Sequence, residues 1–466
     1  MSKNNLIQLY DSSAKVKQIG DSLQLHGQKI HLNGLIGSSL SFVVQSLFKK
    51  SEFPFLVVLN DKEEAAYYLN DLEQMVGEED VLFYPGSYRR PYQIEDTDNA
   101  NVLLRAEVLN RINSRKKPAV VVTYPEALFE KVVTKKELDK NTLKVAVGDQ
   151  ISIEFINEVL FEYEFKRVDF ITEPGEFSVR GGIIDVFSFS NDNPYRIEFF
   201  GNEVDSIRSF DVETQLSIEK QKKIAIIPNV ENKFFQENRE SFLDYIHQNT
   251  IVFIQNTELL ISKLEKLFDK ADDIFKNLNA TIKHVPPEKI FLHQKEFLKK
   301  ALDFTVVELS SKPTFNIAKA FDFHIQPQPS FNKQFDLLLN NLNDNHFNGY
   351  KNYLFCSSGA QEKRFHDIFE SLDEANHESI RKQYHTVVFP LYQGFIDEEN
   401  QIACYTDHQI FERYHKFSIK NGYSKKQTIT LKELNTLAVG DYVTHIDHGI
   451  GKFGGLQKIQ VEGKTQ

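Results

Sequence analysis

Short, wholly apolar runs that alternate with amphipathic stretches constrain this chain more than any other feature. Phe55-Leu-Val-Val-Leu59 is long enough for a buried strand and too short for a buried helix. Asn60-Asp61 follows as a helix cap, and Ala65, Leu69, Leu72 and Val76 recur at helical spacing until Gly77 ends the helix. Val81-Leu-Phe-Tyr84 repeats the strand signal and breaks at Pro85-Gly86. Leu104, Val108 and Ile112 mark one side of a second helix, and Ala119-Val-Val-Val122 forms the next strand. Strands alternating with helices at this spacing predict an α/β protein with a parallel, doubly wound sheet.

The middle of the chain changes period. From about Val145 to Phe210 the strand-like pieces are shorter and separated by Gly or Asn turns, as in Gly182-Ile-Ile-Asp-Val-Phe187 and Tyr195-Arg-Ile-Glu-Phe199. In the second piece Ile197 and Phe199 face one way and Arg196 and Glu198 the other, the period of a half-buried strand. This predicts a mostly β insert, after which Thr250-Ile-Val-Phe-Ile254 and a Leu- and Lys-rich helix resume the α/β pattern. A second, small α/β unit is expected from roughly Phe335 to Tyr414, with Tyr353-Leu-Phe-Cys356 as a strand and Phe365, Ile368, Phe369 and Leu372 on the following helix. Lys416 to Thr430 reads as a linker into glycine-punctuated short strands, Val439 to Gly455. Gln466 comes too soon for a small β-barrel to close, so the terminus reads as a cut.

Composition narrows the class. At roughly 100–200 residues per domain, a length of 466 residues corresponds to about three or four domains. Lys+Arg 55 against Asp+Glu 66 gives a formal net charge of −11 and a pI ≈ 5.8. That argues against a surface coated with nucleic acid and leaves room for a local basic patch. No apolar run approaches the roughly 18–20 residues of a membrane span, and Met1-Ser-Lys-Asn-Asn opens no signal peptide. Two cysteines, Cys356 and Cys404, make neither a disulfide scaffold nor a cysteine zinc cluster. A soluble, cytoplasmic protein with no membrane partner is expected.

Four stretches are candidates for chemistry. Gly34-Leu-Ile-Gly-Ser-Ser-Leu-Ser41 has the outline of a phosphate-binding loop, whose backbone N–H groups and helix amino terminus cradle phosphates while a lysine neutralises them. Gly34 and Ser41 hold the outer positions, but Ser39 replaces the second glycine and Leu40 stands where the lysine belongs. Loss of that charge should defeat ATP turnover, leaving a strand-to-helix turn packed from small residues. His445-Ile-Asp-His448 holds two histidines and a carboxylate, but residues three apart on a strand point to opposite faces, so a turn at Asp447 and Gly449 is expected in place of a metal site. Arg167, Arg180, Arg196 and Arg208 lie in the insert beside Phe177, Phe187 and Phe199, the mixture favoured at protein–protein hot spots. Arg89-Arg90 follow Tyr84-Pro-Gly-Ser-Tyr88 at a strand's carboxyl end, where open α/β sheets bind ligands. Cys356, in an apolar strand, reads as a buried thiol. No catalytic triad signature stands out.

Several of these stretches together resemble one family. Phe83-Tyr-Pro-Gly86, Gly175-Glu-Phe-Ser-Val-Arg-Gly-Gly-Ile-Ile-Asp-Val-Phe187 and Tyr195 to Asp211 look like the bacterial transcription-repair coupling factors, and Gly440 to Gly451 resembles the start of that family's RNA-polymerase-interacting domain. Excinuclease B shares the first part of this plan but not the last segment. The resemblance implies an N-terminal fragment: residues 1–132 an excinuclease B-like domain 1a with a degenerate P-loop, 133–217 the excinuclease A-binding insert, 218–325 domain 1b completing the first α/β domain, 326–415 a small α/β domain, 416–432 a linker, and 433–466 the truncated start of the polymerase-interacting β-barrel.

It further implies that the chain has no catalytic residues and no cofactor of its own, ATP and Mg belonging to absent helicase-like motor domains. The implied partners are excinuclease A, the β chain of RNA polymerase through a partial site, and DNA in the full-length protein. For excinuclease A it points to Arg167 and Arg180 first, and to Phe187 and Arg196 as weaker contacts. The implied function is recruitment of excinuclease A to polymerase stalled at DNA damage, within a parent that is an ATP-dependent DNA translocase. An excinuclease B-like ATPase or a damage-associated DNA-binding protein are the alternatives.

Overall fold

A computed structural model of the chain describes residues 3–87, 92, 99–114, 117–189, 191, 193–212, 214–230, 239–278, 285–372, 381–413, 442–445, 449–452, 460–461 and 464–465. The apolar runs become strands of a seven-stranded parallel sheet, with Val81–Phe83 at one edge. Its spatial order is Lys319–Asp322, Lys29–Asn33, Thr305–Glu308, Ile251–Ile254, Phe55–Val58, Val120–Thr123 and Val81–Phe83. Every residue of the five strands from Thr305–Glu308 to Val81–Phe83 is buried, because helices cover both faces of a parallel sheet. Local chemistry sets the helix ends. The Asp61 carboxylate accepts the Glu64 N–H at 2.9 Å to start Lys62–Val76, and Gly77, at φ +117, stops it.

Between Val120–Thr123 and Ile251–Ile254 the chain leaves this sheet and builds a second one. Its order is Ser217–Gln221, Glu203–Phe210, Tyr195–Phe200, Ile183–Val186, Glu176–Arg180 and Lys166–Arg167, antiparallel except for the last pair. The helix Ile153–Glu162, capped by the Ser152 hydroxyl on the Phe155 N–H, belongs to the same region.

A third, five-stranded sheet runs Ile325–Pro327, Phe395–Asp397, Ile402–Thr406, Lys351–Cys356 and Tyr384–Val388. Its alternation divides two cores. Tyr353, Phe355, Ile402 and Cys404 join the large core that contains the seven-stranded sheet. Leu354, Cys356, Ala403 and Tyr405 pack with Leu338, Leu342, Phe365 and Phe369 from the helices Phe335–Phe347 and Gly359–Leu372. Both cysteines are buried, on opposite faces, and burial raises the Cys356 thiol to about 12.

Residues Met1–Tyr423 form one compact unit and Ser424–Gln466 another. In the second, Tyr442–His445 pairs antiparallel with Gly449–Lys452, and Gln460–Val461 with Lys464–Thr465. The linker expected at Lys416–Thr430, together with Asp447 and His448, lies outside the described residues. Among the described residues no group of His, Cys, Asp and Glu is placed to hold a metal, and no helix is long and apolar enough to cross a membrane.

Candidate functional site

On one face of the insert, register alone lines up a polar row. Ser178 pairs with Asp185, Asp185 with Arg196, Arg196 with Arg208 and Arg208 with Lys220, so a polar row crosses five strands. The alternating residues Phe177, Ile184, Val186 and Ile197 are buried in the main core. At the centre of the row the Asp185 carboxylate is almost wholly buried, and the Arg196 guanidinium grips it twice, Nε to Oδ1 at 2.7 Å and an Nη to Oδ2 at 2.9 Å. This bidentate pair is the strong form of the interaction, and it pushes the Arg196 pKa further up. Arg196 also lies over the Phe210 ring, 4.4 Å from its centroid, and its side chain is only 18% exposed.

Arg180 shares the same carboxylate through one nitrogen, yet its side chain is 40% exposed and it lies over the Phe170 ring, itself 63% exposed. A guanidinium has five N–H donors, so one bond to Asp185 leaves Arg180 able to grip an incoming carboxylate. Arg208 pairs with Glu198. Arg167 is exposed on the two-residue edge strand, in register with Phe177 and so not in the Ser178–Arg180 row.

Phe187 lies in the interior. Period two puts it on the side of Asp185, but Ile171 and Phe210 cover it and it is fully buried. Its ring belongs to a small core with Ile171 and Phe210.

The strand-loop-helix unit at residues 29–49 forms as expected, from Lys29–Asn33 to the helix Ser39–Lys49. Gly34, at φ +83, lets the loop pass the Phe323 carbonyl oxygen; a Cβ there would lie 2.1 Å from it. Leu40 is buried in the core rather than turned toward a ligand. The loop's polar groups bond within the chain. The Ser39 hydroxyl donates to the Ile36 carbonyl at 2.7 Å and accepts the Ile36 N–H at 3.0 Å, and the Tyr68 hydroxyl donates to the Gly37 carbonyl at 2.7 Å. Ser41, the residue that would meet a metal in a working loop, donates to Asp71 at 3.4 Å. Asp71 is fully buried, and burial raises its carboxyl to about 7 against the opposing hydrogen bonds of Ser38, the Tyr392 N–H and Ser41. A phosphate placed here would meet Leu40 in place of a lysine and would also face a buried carboxyl.

At the carboxyl end of Val81–Phe83, Glu130 accepts the Ser87 N–H at 2.9 Å and its hydroxyl at 2.6 Å. The fully buried Arg105 lies 3.4 Å from Glu130, donates to the Pro85 carbonyl at 2.9 Å and stacks over Tyr84 at 4.4 Å. This pair fixes the turn that leads to Arg89-Arg90, which lie outside the described residues. Sequence reading missed Asp71, Asp185, Arg105 and Glu130 as organising residues. For Asp185 a signal existed, a lone carboxylate inside the apolar Gly182–Phe187 run. The partners of the other three are set by packing between elements.

Comparison with known proteins fits this geometry. The family description "UvrB interaction domain" matches residues 143–232, which hold the whole six-stranded sheet, and "CarD-like/TRCF RID domain" matches residues 437–466. The chain is similar to the transcription-repair-coupling factor of Bacillus subtilis (strain 168), 25% identical over a gapped alignment 514 residues long, which covers 93% of this chain and 42% of that protein. The protein of the same name from Rickettsia bellii (strain RML369-C) is 24% identical, covering 91% and 42%. That of Myxococcus xanthus is 29% identical over 228 residues, covering 48% and 19%. The chain thus spans 42% of the length of the first two.

Proposed function

We infer that this chain, related along nearly its whole length to the transcription-repair coupling factors, is a docking module that recruits excinuclease A to a stalled RNA polymerase in nucleotide excision repair. The observation that carries this reading is the half-open Arg180. It is held in place by Asp185, which Arg196 neutralises from the other side, so Arg180 can turn its free N–H groups to a partner carboxylate without stranding a buried charge. Arg180 and the exposed Phe170 ring form the contact, Arg167 adds charge from the sheet edge, and Arg196 positions Asp185 rather than touching the partner. Such a pairing of arginine with an aromatic ring suits the centre of an interface.

The finer architecture follows the same reading: residues 1–132 and 218–325 as the two parts of an excinuclease B-like domain with a disabled phosphate loop, 133–217 as the excinuclease A-binding insert, 326–415 as a small α/β domain, and 433–466 as the start of a polymerase-binding β-barrel. ATP-driven translocation and DNA binding are assigned to the parent protein's motor, outside this chain.

The test is co-purification of the chain with excinuclease A in the absence of added nucleotide. A stable complex is expected with wild type and with Leu40→Ala, and a much weaker one with Arg180→Ala. No complex with wild type would overturn the partner, and equal complexes with wild type and Arg180→Ala would overturn the arginine's role.

A further inference from the structure

Loss of the lysine is one defect of the phosphate loop, and the fold adds a second from a distant part of the chain. The Ser38 N–H, at the amino end of the Ser39–Lys49 helix, donates to the Gln393 carbonyl oxygen at 3.2 Å. In return the Gln393 N–H donates to the Ser38 hydroxyl at 2.9 Å. One residue earlier, the Tyr392 N–H donates to Asp71 at 3.0 Å, and the Tyr392 ring stacks on Tyr67 with centroids 4.1 Å apart and planes 10° from parallel. One residue later, the Gly394 carbonyl oxygen lies 3.0 Å from where a Cβ on Gly37 would be, so Gly37 is needed for the approach. Three consecutive residues, Tyr392, Gln393 and Gly394, therefore sit against the loop and Asp71.

We propose that Tyr392–Gly394 is a built-in plug for the abandoned phosphate site and, by the same contacts, the joint that fixes the five-stranded sheet to the seven-stranded one. A helix amino terminus attracts negative oxygen. Here the oxygen is the Gln393 carbonyl, supplied by the chain itself and held in place by Ser38, Asp71 and Tyr67. Neighbouring contacts extend the joint: the Tyr10 hydroxyl donates to the buried Asp397 at 2.7 Å, and Phe42 packs edge-on against Phe395 at 5.9 Å. Two consequences follow. Restoring the lysine alone does not restore nucleotide binding, because the plug and Asp71 still occupy the site. Loosening the plug also loosens the loop, because each satisfies the other's backbone groups.

Hydrogen–deuterium exchange resolved to peptides 34–41 and 389–395 tests both. In wild type the two peptides should exchange as slowly as the Lys29–Asn33 strand, and Tyr392→Ala should accelerate both together by at least tenfold. Exchange of either wild-type peptide at the rate of an open loop would overturn the proposal, as would acceleration confined to 389–395. A parallel titration of folded Leu40→Lys with a fluorescent ATP analogue and Mg²⁺ should show no saturable binding, and saturable binding by that single variant would equally overturn it. If Leu40→Lys does not fold, the wild-type and Tyr392→Ala exchange data decide alone.

Discussion

The loop at residues 34–41 and the arginine face of the insert are both polar sites on strand-built scaffolds, and they differ in where their hydrogen-bonding capacity is used. Around the loop, Ser38, Ser39, Ser41, Tyr68 and Asp71 all bond to groups of the same chain. On the insert, Asp185 is satisfied, but Arg180 remains 40% exposed with one bond made and Arg167 stands exposed at the edge. A polar site that has closed on itself contributes to stability, whereas one that keeps donors in reserve is available to a partner. Substitutions in the first region should therefore change unfolding and leave binding alone, and Arg180 should do the reverse.

The largest effect is expected at the buried Arg105. Arg105→Ala would remove the buried guanidinium 3.4 Å from Glu130 and the donor to the Pro85 carbonyl, a loss of about 3–5 kcal/mol in urea unfolding. A loss below about 1 kcal/mol would mean that the pair is solvated and the region is not closed. Next is Arg196→Ala, which would leave the buried Asp185 to Arg180 alone and cost about 2–3 kcal/mol of stability. That variant sharpens the contrast within the insert, because its neighbour Arg180 should cost binding instead.

A smaller, pH-dependent effect belongs to Asp71. With its folded-state value raised to about 7, the folded chain keeps a proton that the unfolded chain has lost. The stabilisation is complete below the ordinary aspartate range, declines as pH rises toward 7, and is gone above it. Asp71→Asn should remove this slope, so wild type should lose about 1 kcal/mol relative to the variant between pH 6 and pH 8 in denaturant midpoints. A parallel pair of pH profiles would show that Asp71 titrates normally. The smallest effect is expected at Glu198, whose carboxyl is held low by the Ser206 hydroxyl and then by Arg208. Glu198→Gln should change stability by less than about 1 kcal/mol, since the pair is partly exposed.

Elements buried on both faces were legible in the sequence. The run Phe55–Leu59 forms the strand Phe55–Val58, and Ala119–Val122 is displaced by one residue to Val120–Thr123. The period-two reading of Tyr195–Phe199 placed Ile197 inward and Arg196 on the polar face, as found. Phe187 marks the limit of that rule. Alternation assigns a side of the sheet but does not reveal that Ile171 and Phe210 cover that side. The closure of the loop was illegible for a different reason. Ser38 meets Gln393 across 355 residues and Asp71 meets Tyr392 across 321, and no local pattern encodes contacts so far apart in the chain. What the sequence did carry was Leu40 at the position where a phosphate-binding loop has its lysine, without telling what packs against the loop.

Calorimetric titration of excinuclease A into three forms of the chain tests the division between closed and available sites most directly. Wild type and Ser38→Ala should bind alike, and Arg180→Ala should bind roughly 30-fold more weakly, equivalent to about 2 kcal/mol. Undiminished binding by Arg180→Ala, or a comparable loss with Ser38→Ala, would contradict the account.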